Sequence, residues 1–294
     1  MLSYQHIYHA GNHADVIKHL TLLSVLDKLQ QKTKPYTLID THAGAGMYRL
    51  TDAKAQKNAE YQFGVGLLSD STLQQHPAPL LQQYWDRVSA AYAQQQYLGS
   101  AGWMQAYLRP GDHGHFCELH PAVYPELTAY LTKSNAHSYQ QDGFKQLVAL
   151  LPPLAKRGVV LIDPPYEQIS EYSQCVSTIE QSLKRWATGC YLLWYPLIST
   201  ENGAKQAASG RMIRDLKALS TNDSVTNMAQ IEWLIDTPEY YHGMYGSGII
   251  AINLPWGCAD AINAACAALY TEVTQAQGPL PRASFKFNWL KAPQ

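Results

Sequence analysis

The sequence carries no strong charge of either sign. Its 294 residues include 22 Lys and Arg against 23 Asp and Glu, a formal net charge of −1. A surface that is basic all round is therefore excluded, and any phosphate contact has to come from a local patch. Charged residues are scarce at 15%, whereas hydrophobic residues reach 46%, which excludes a disordered chain. Cysteine is also sparse. Cys117, Cys175, Cys190, Cys258 and Cys266 form no CxxC pair and are odd in number, so free thiols in a reducing cytosol are expected rather than a disulfide framework. No apolar run reaches the roughly eighteen residues of a membrane span. His, Asn and Asp interrupt the first fifteen residues, so no charged-then-apolar leader is present, and a cytoplasmic protein with no membrane partner is expected. Internal repeats are absent as well.

What is there alternates between strand and helix. Apolar residues recur at helical spacing from Ala14 to Leu29, with Asn12 or His13 at the start and Asp15 in the first turn. Tyr36–Asp40 reads as a short buried strand after Pro35, and His115–Glu118, Ala136–Gln140 and Gly158–Asp163 read as further strands. Helices are expected over Pro121–Ser134, Phe144–Leu151, Glu171–Trp186 and Gly203–Leu219. Later strands are expected over Gly189–Tyr195, Met228–Leu234 and Gly248–Asn253, and an irregular tail from Pro279. The polar stretch from about Leu50 to Tyr97 has helical periodicity in Leu80, Leu81, Tyr84, Trp85 and Val88 but no strong strands. The pattern predicts an α/β fold: one domain over 1–294, an open, mostly parallel sheet with helices on both faces, and an inserted helical subdomain at about 50–97. Ligands of such sheets bind beyond the C-terminal strand ends.

Several short motifs fall at those strand ends. Asp40-Thr-His-Ala-Gly44-Ala-Gly46 follows a strand, where glycine permits a tight turn and close approach of a ligand. It lacks the third glycine of the dinucleotide fingerprint, and no P-loop Lys-Ser/Thr follows, so it suits a nucleoside cofactor without a pyrophosphate. Glu118 can accept hydrogen bonds from both hydroxyls of a ribose, and the insertion explains its distance from the glycines. Asp142-Gly143 reads as a simple turn in isolation, although its carboxylate can take an adenine amino group.

Asp163-Pro164-Pro165-Tyr166 ends the most apolar strand. The exocyclic amine of a base is a poor nucleophile, because its lone pair is delocalised into the ring. A site that uses it needs acceptors for the amine hydrogens, and the Asp163 carboxylate and Pro164 carbonyl can supply them. Proline fixes φ and has no N–H, which makes the turn rigid. Tyr166 is expected to offer a face on which a flipped-out base stacks. Near the N-terminus, Tyr4, His6, His9, His13, Lys18 and His19 are dense enough to suggest a polar rim to this site. His9 and His13 are four apart, but no third ligand and no intervening HExxH glutamate accompany them, so no metal is expected. The stretch from Lys184 to Lys217 carries an excess of Lys and Arg and reads as a solvated helix face.

The order of glycine loop, Glu, Asp-Gly and Asp-Pro-Pro-Tyr is that of class I S-adenosylmethionine-dependent amino-methyltransferases. The whole set resembles one family, the bacterial 23S ribosomal RNA adenine-N6 methyltransferase J family. The resemblance rests on Met1–Tyr4, His9–Asp15, Lys18-His19, Asp40–Gly46, Gly99-Ser100, Glu118–Pro121, Asp142–Phe144, Leu161–Glu167 and Leu193–Pro196. It implies a Rossmann-like fold with a small inserted helical subdomain, and S-adenosylmethionine held by His19, His42, Ser100, Glu118, Asp142, Gly143 and Asp163. Asp163 is then the catalytic acceptor and Lys18 part of the active-site region. Tyr4 meets the RNA, with His6 beside it. Such an enzyme is expected to act as a monomer on protein-free 23S rRNA or an early assembly intermediate. The Asp-Pro-Pro-Tyr motif alone leaves open a DNA adenine-N6 or an rRNA guanine-N2 methyltransferase, and a non-catalytic cofactor- or RNA-binding module is the alternative of a different class.

Overall fold

The run Gly158–Ile162 is a strand whose residues are all buried, and the rest of the fold is arranged around it. Val159 and Leu161 enter one apolar cluster and Val160 and Ile162 another, so the strand is covered on both faces. The structure is a computed structural model and describes residues 4–69, 78–239, 243–277 and 282–293. In chain order its elements are α1 (His13–Gln30), β1 (Thr37–Asp40), β2 (Met47–Arg49), α2 (Ala53–Asn58), α3 (Val65–Ser69), α4 (Pro79–Ala93), β3 (Gln96–Leu98), α5 (Ser100–Tyr107), β4 (His113–Cys117) and α6 (Tyr124–Tyr130). They continue with β5 (Ala136–Tyr139), α7 (Gly143–Leu150), β6 (Gly158–Ile162), α8 (Ile169–Arg185), β7 (Cys190–Ile198), α9 (Gly203–Ala218), β8 (Met228–Leu234), β9 (Met244–Ile252), α10 (Cys258–Gln277) and β10 (Ser284–Lys291).

Eight strands form one sheet in the order β10-β8-β9-β7-β6-β1-β4-β5. From β7 to β5 all neighbours are parallel, whereas the β7–β9, β9–β8 and β8–β10 pairs are antiparallel. The chain runs outward from β1 through β4 to β5 and then crosses to β6 on the other side. A crevice opens at that switch point, beyond the ends of β1 and β6. Helices α1, α4, α5 and α10 cover one face, and α7, α8 and α9 the other.

Local chemistry explains the element ends that position the crevice. The Asn12 side chain accepts from the Asp15 backbone N–H and caps α1, and the Asp142 carboxylate accepts from Phe144 and Lys145 and caps α7. At Gly143 a Cβ would stand 1.9 Å from the Thr41 carbonyl oxygen, so only glycine lets α7 start against the end of β1. Gly44 has φ +59°, and a Cβ there would collide with the Tyr48 hydroxyl.

Three expectations need correction. The tail is not irregular: Ser284–Lys291 is an edge strand paired antiparallel with β8, its apolar Phe285, Phe287 and Trp289 alternating with polar residues. The helical stretch expected over about 50–97 ends in a strand instead, because β3 at its end pairs with β2, just before it, as a two-stranded ribbon at the neck. Its α4 buries Leu80, Leu81, Tyr84 and Val88 in the same cluster as α1 and α10. The helix expected over Pro121–Ser134 is only Tyr124–Tyr130, begun by Pro125 in its first turn. All five cysteines are free and buried. Among the described residues, no helix is long and apolar enough to cross a membrane.

Candidate active site

Beyond the C-terminal ends of β1, β4 and β6 lies a cleft of about 640 Å³, inside the roughly 300–1,000 Å³ range of cofactor and small-molecule sites. Tyr4, His6, Lys18, His42, Ser100, Glu118, Asp142, Gly143 and Asp163 all line it, although they come from widely separated parts of the chain. The strand ends bring them together.

One half of the cleft gathers carboxylates and backbone groups around the glycine loop. Glu118 follows β4; its Oε2 accepts from the Gly44 N–H at 3.1 Å and its Oε1 from the His120 N–H at 2.7 Å. These bonds fix the carboxylate against the glycine loop, and burial pushes its pKa up despite them. His42 donates its backbone N–H to Asp40 Oδ1 at 3.2 Å, and its ring lies edge-on to Phe144 at 5.1 Å. Burial lowers the His42 pKa to about 4, so the ring is neutral. Asp40 ends β1 fully buried, and burial raises its pKa to about 6. Its Oδ2 has no hydrogen-bond partner among the described residues. Asp40 lies behind the cleft wall, with the Ser100 side chain as a neighbour that offsets part of that rise. These acceptors and the backbone approach at Gly44 and Gly143 fit a cofactor carrying a ribose, an adenine and a cationic amino-acid end.

The other half is a hydrogen-bonded chain that starts at the N-terminal segment. The Tyr4 hydroxyl meets His6 Nδ1 at 3.0 Å, and His6 Nε2 meets Asp15 Oδ2 at 2.9 Å. Lys18 Nζ lies 2.7 Å from Asp15 Oδ1 and donates to Asp163 Oδ2 at 2.6 Å. Asp15 and Lys18 stand one turn apart on α1, whereas Asp163 follows β6, 145 positions from Lys18. Burial works against charge on Lys18, but the two carboxylates outweigh it and hold its pKa above the usual lysine range. Burial also opposes charge on Asp15. His6 and Lys18 outweigh it and hold the carboxyl well below the usual range. Lys18 thus helps hold the Asp15 carboxyl ionised and fixes the orientation of Asp163. Asp163 Oδ1 takes no hydrogen bond among the described residues.

The rest of the N-terminal cluster ties this chain to the insertion. His9 Nδ1 meets the Glu60 carboxylate at 3.0 Å, Asn12 Nδ2 donates to Glu60 Oε2 at 2.9 Å, and Lys54 Nζ donates to Gln5 Oε1 at 2.6 Å. The Tyr4 ring stacks on His9 with centroids 5.6 Å apart. Among the described residues, no group of three or more His, Cys, Asp or Glu is arranged to hold a metal ion.

Three expected site residues stand outside the cleft lining. Tyr166 is 2% exposed, has φ +51°, and turns its ring into the apolar cluster behind α8 and α9. Its hydroxyl donates to the Trp194 carbonyl at 2.8 Å. In this conformation it offers no face to a base; the aromatic rings in the cleft wall are Tyr4, Tyr48 and Phe144 beside the histidines. Tyr166 instead anchors the turn, and Lys205 Nζ holds the same turn by donating to the Tyr166 carbonyl at 2.8 Å. Pro164 is buried under that turn. His19 is 1% exposed behind the cleft, its Nδ1 bonded to the Tyr97 hydroxyl at 2.9 Å and its Nε2 unpartnered. Burial drives its pKa down to about 3. Conversely, Asp15 and Asp40 were not singled out as site residues, although both lie within motifs read from the sequence. Their signal was a carboxylate in a first helical turn and another closing a buried strand.

A sheet switching direction at β1, with acids at the ends of β1, β4 and β6 and after β5, defines a class I methyltransferase of Rossmann-like fold. A family model described as "Ribosomal RNA large subunit methyltransferase D, RlmJ" matches residues 33–290. The ribosomal RNA large subunit methyltransferase J of Escherichia coli K12 is 40% identical over 268 residues, covering 90% of this chain and 91% of that one. Its namesake from Haemophilus influenzae is 37% identical over 258 residues, covering 87% and 88%. A crystal structure of a Legionella pneumophila protein superposes with a TM-score of 0.79 at 31% identity, over 95% of this chain and 98% of that one. The chain belongs to the large-subunit ribosomal RNA methyltransferase J family.

Proposed function

We propose that the protein transfers the methyl group of S-adenosylmethionine to the N6 amine of an adenine in 23S ribosomal RNA. The observation that carries this reading is the Lys18–Asp163 pair in a cleft whose other half offers ribose and adenine acceptors. Bound there, the cofactor supplies an electrophilic sulfonium methyl. Everything else is the work of the chain. Glu118 accepts from the ribose hydroxyls, Asp142 from the adenine amine, and the backbone at Gly143 lets the ring close against the strand ends.

On the substrate side, Asp163 Oδ1, at the cleft wall, accepts one hydrogen of the base amine. This localises the nitrogen lone pair and stabilises the positive charge that develops on it during transfer. Lys18 occupies Oδ2 and prevents the carboxylate from rotating away. Tyr4 and His6 meet the RNA at the cleft mouth, where the Tyr4 ring gives a stacking surface in place of Tyr166. The ribosomal RNA named in both curated relatives favours RNA over DNA, and large-subunit RNA over other RNAs.

The test is transfer of a labelled methyl group to protein-free 23S rRNA, with nucleoside analysis of the product. N6-methyladenine is expected. Incorporation into duplex DNA alone, or N2-methylguanine as product, would sink this reading.

A further inference from the structure

The edge of the sheet opposite the cleft carries a patch that methyl transfer does not use. Lys32 and Lys34 are exposed in the turn between α1 and β1. The Arg157 guanidinium donates to the Lys34 carbonyl at 2.7 Å and to the Leu29 carbonyl at 2.9 Å. That of Arg109 donates to the carbonyls of Lys32 and Lys34 at 3.0 and 3.3 Å. These bonds bring four cations into one small area, with exposed Lys156 beside Arg157. Lys28, one turn before Lys32, stands 5.3 Å from the ring centroid of Trp256, which is 84% exposed in the loop after β9.

The neighbouring acids are already engaged: Asp112 with Arg109, and Asp27 with the Tyr107 hydroxyl. Among the described residues, no acid pairs with Lys32, Lys34, Lys156 or Arg157. Helix ends attract cations, and that accounts for Lys28 in the last turn of α1 and for Arg157 on the Leu29 carbonyl, but not for Lys32, Lys34 and Lys156. In a chain of net charge −1, so local an excess is conspicuous. Exposed cations, with an exposed indole beside one of their neighbours, Lys28, match nucleic acid, phosphates on the cations and an unpaired base on the ring.

We infer that this face is a second RNA-binding surface, holding a single-stranded or junction segment of the ribosomal RNA remote from the target base. The inference rests on ribosomal RNA being the substrate. Strand β6 separates patch and cleft by roughly 15 Å at about 3.3 Å per residue, so only an RNA long enough to round the sheet edge reaches both. The patch positions the RNA and reads no sequence.

The test is filter binding of protein-free 23S rRNA by the full chain across about 50–200 mM salt, with cofactor binding measured alongside. The combined variant Lys32→Glu, Lys34→Glu and Lys156→Glu is expected to lose about tenfold or more in affinity. Its log–log salt slope should fall by about 2–3, for three phosphate contacts. KM for the long RNA should rise with kcat unchanged. Trp256→Ala is expected to weaken binding of a single-stranded oligonucleotide about tenfold. Lys34→Gln alone, which should lower the slope by about 0.7, keeps the test decisive if the triple variant fails to fold. Unchanged affinity and slope with cofactor binding intact would overturn the proposal. So would charge-dependent binding to phosphatidylglycerol vesicles with none to RNA. Wild-type transfer combined with unaltered variant binding removes the patch alone, whereas no wild-type transfer to any ribosomal RNA removes the function itself.

Discussion

At the C-terminal edge of the central sheet Lys18 is buried and paired with two carboxylates; at the N-terminal edge Lys32, Lys34 and Lys156 are exposed and unpaired among the described residues. Lys18 is 3% exposed between two carboxylates, whereas Lys32, Lys34 and Lys156 stand in solvent. The same residue type does different work in the two places. A desolvated lysine fixes the geometry of its partners, and losing it leaves a buried carboxylate uncompensated. An exposed lysine contributes little to stability and acts through the field it presents to a polyanion. The two ends are therefore expected to respond to mutation in different measurements.

The largest effect is expected at Asp163. Asp163→Ala should lower kcat by about 10³-fold, in line with loss of a positioned acceptor, with a smaller loss of stability than at Lys18 because Asp15 still pairs with the lysine. Activity within tenfold of wild type would remove Asp163 from the chemistry. Next comes Lys18→Met, which leaves Asp15 and Asp163 without their common cation. Urea denaturation should show a loss of about 3 kcal/mol or more, and a loss below about 1 kcal/mol would mean the buried end tolerates an open charge. Glu118→Gln should weaken cofactor binding by about 10- to 100-fold in calorimetry, the range for a hydrogen bond to a charged group. An unaltered dissociation constant would take the ribose away from Glu118.

The smallest effect is one of pH. His19 sits near 3 in the folded protein against its ordinary 6.5. Between those values the unfolded chain binds a proton that the native state does not, so stability falls as pH drops below 6.5. The loss grows until the pH passes the folded value. At pH 5 it should be about 2 kcal/mol relative to neutral pH. His19→Gln should flatten that part of the stability profile, and an equal slope in wild type and variant would assign the acid sensitivity elsewhere.

Much of the sheet could be read from the chain, because its parallel strands are short apolar runs closed by acids or glycines. Met228–Leu234 was expected as a strand with the bounds it has, and Asn12 was one of two residues expected at the start of α1. Helix α5 went unread because it is buried on nearly every side, so its sequence lacks a polar stripe to set a period. Strand β10 alternates apolar and polar residues as an edge strand should, but the prolines at 279 and 281 drew attention to irregularity instead. In the site, local motifs gave the acids at the strand ends. The Lys18–Asp163 contact spans a separation that no spacing rule covers. The direction of the Tyr166 ring was equally hidden, since it depends on a left-handed backbone angle that the motif does not specify.

The β2–β3 neck has a bearing on how this protein could be shortened. Because both ends of the insertion leave through neighbouring strands, a two-residue turn could join Arg49 to Gln96 without disturbing the sheet register. Yet the excised piece would take α4 with it, along with the Tyr84 and Val88 that roof α1, and Glu60, which clasps the N-terminal segment. The segment is removable in topology and indispensable in packing, so a trimmed enzyme would need a redesigned helix surface and a new clasp, not merely a shorter loop.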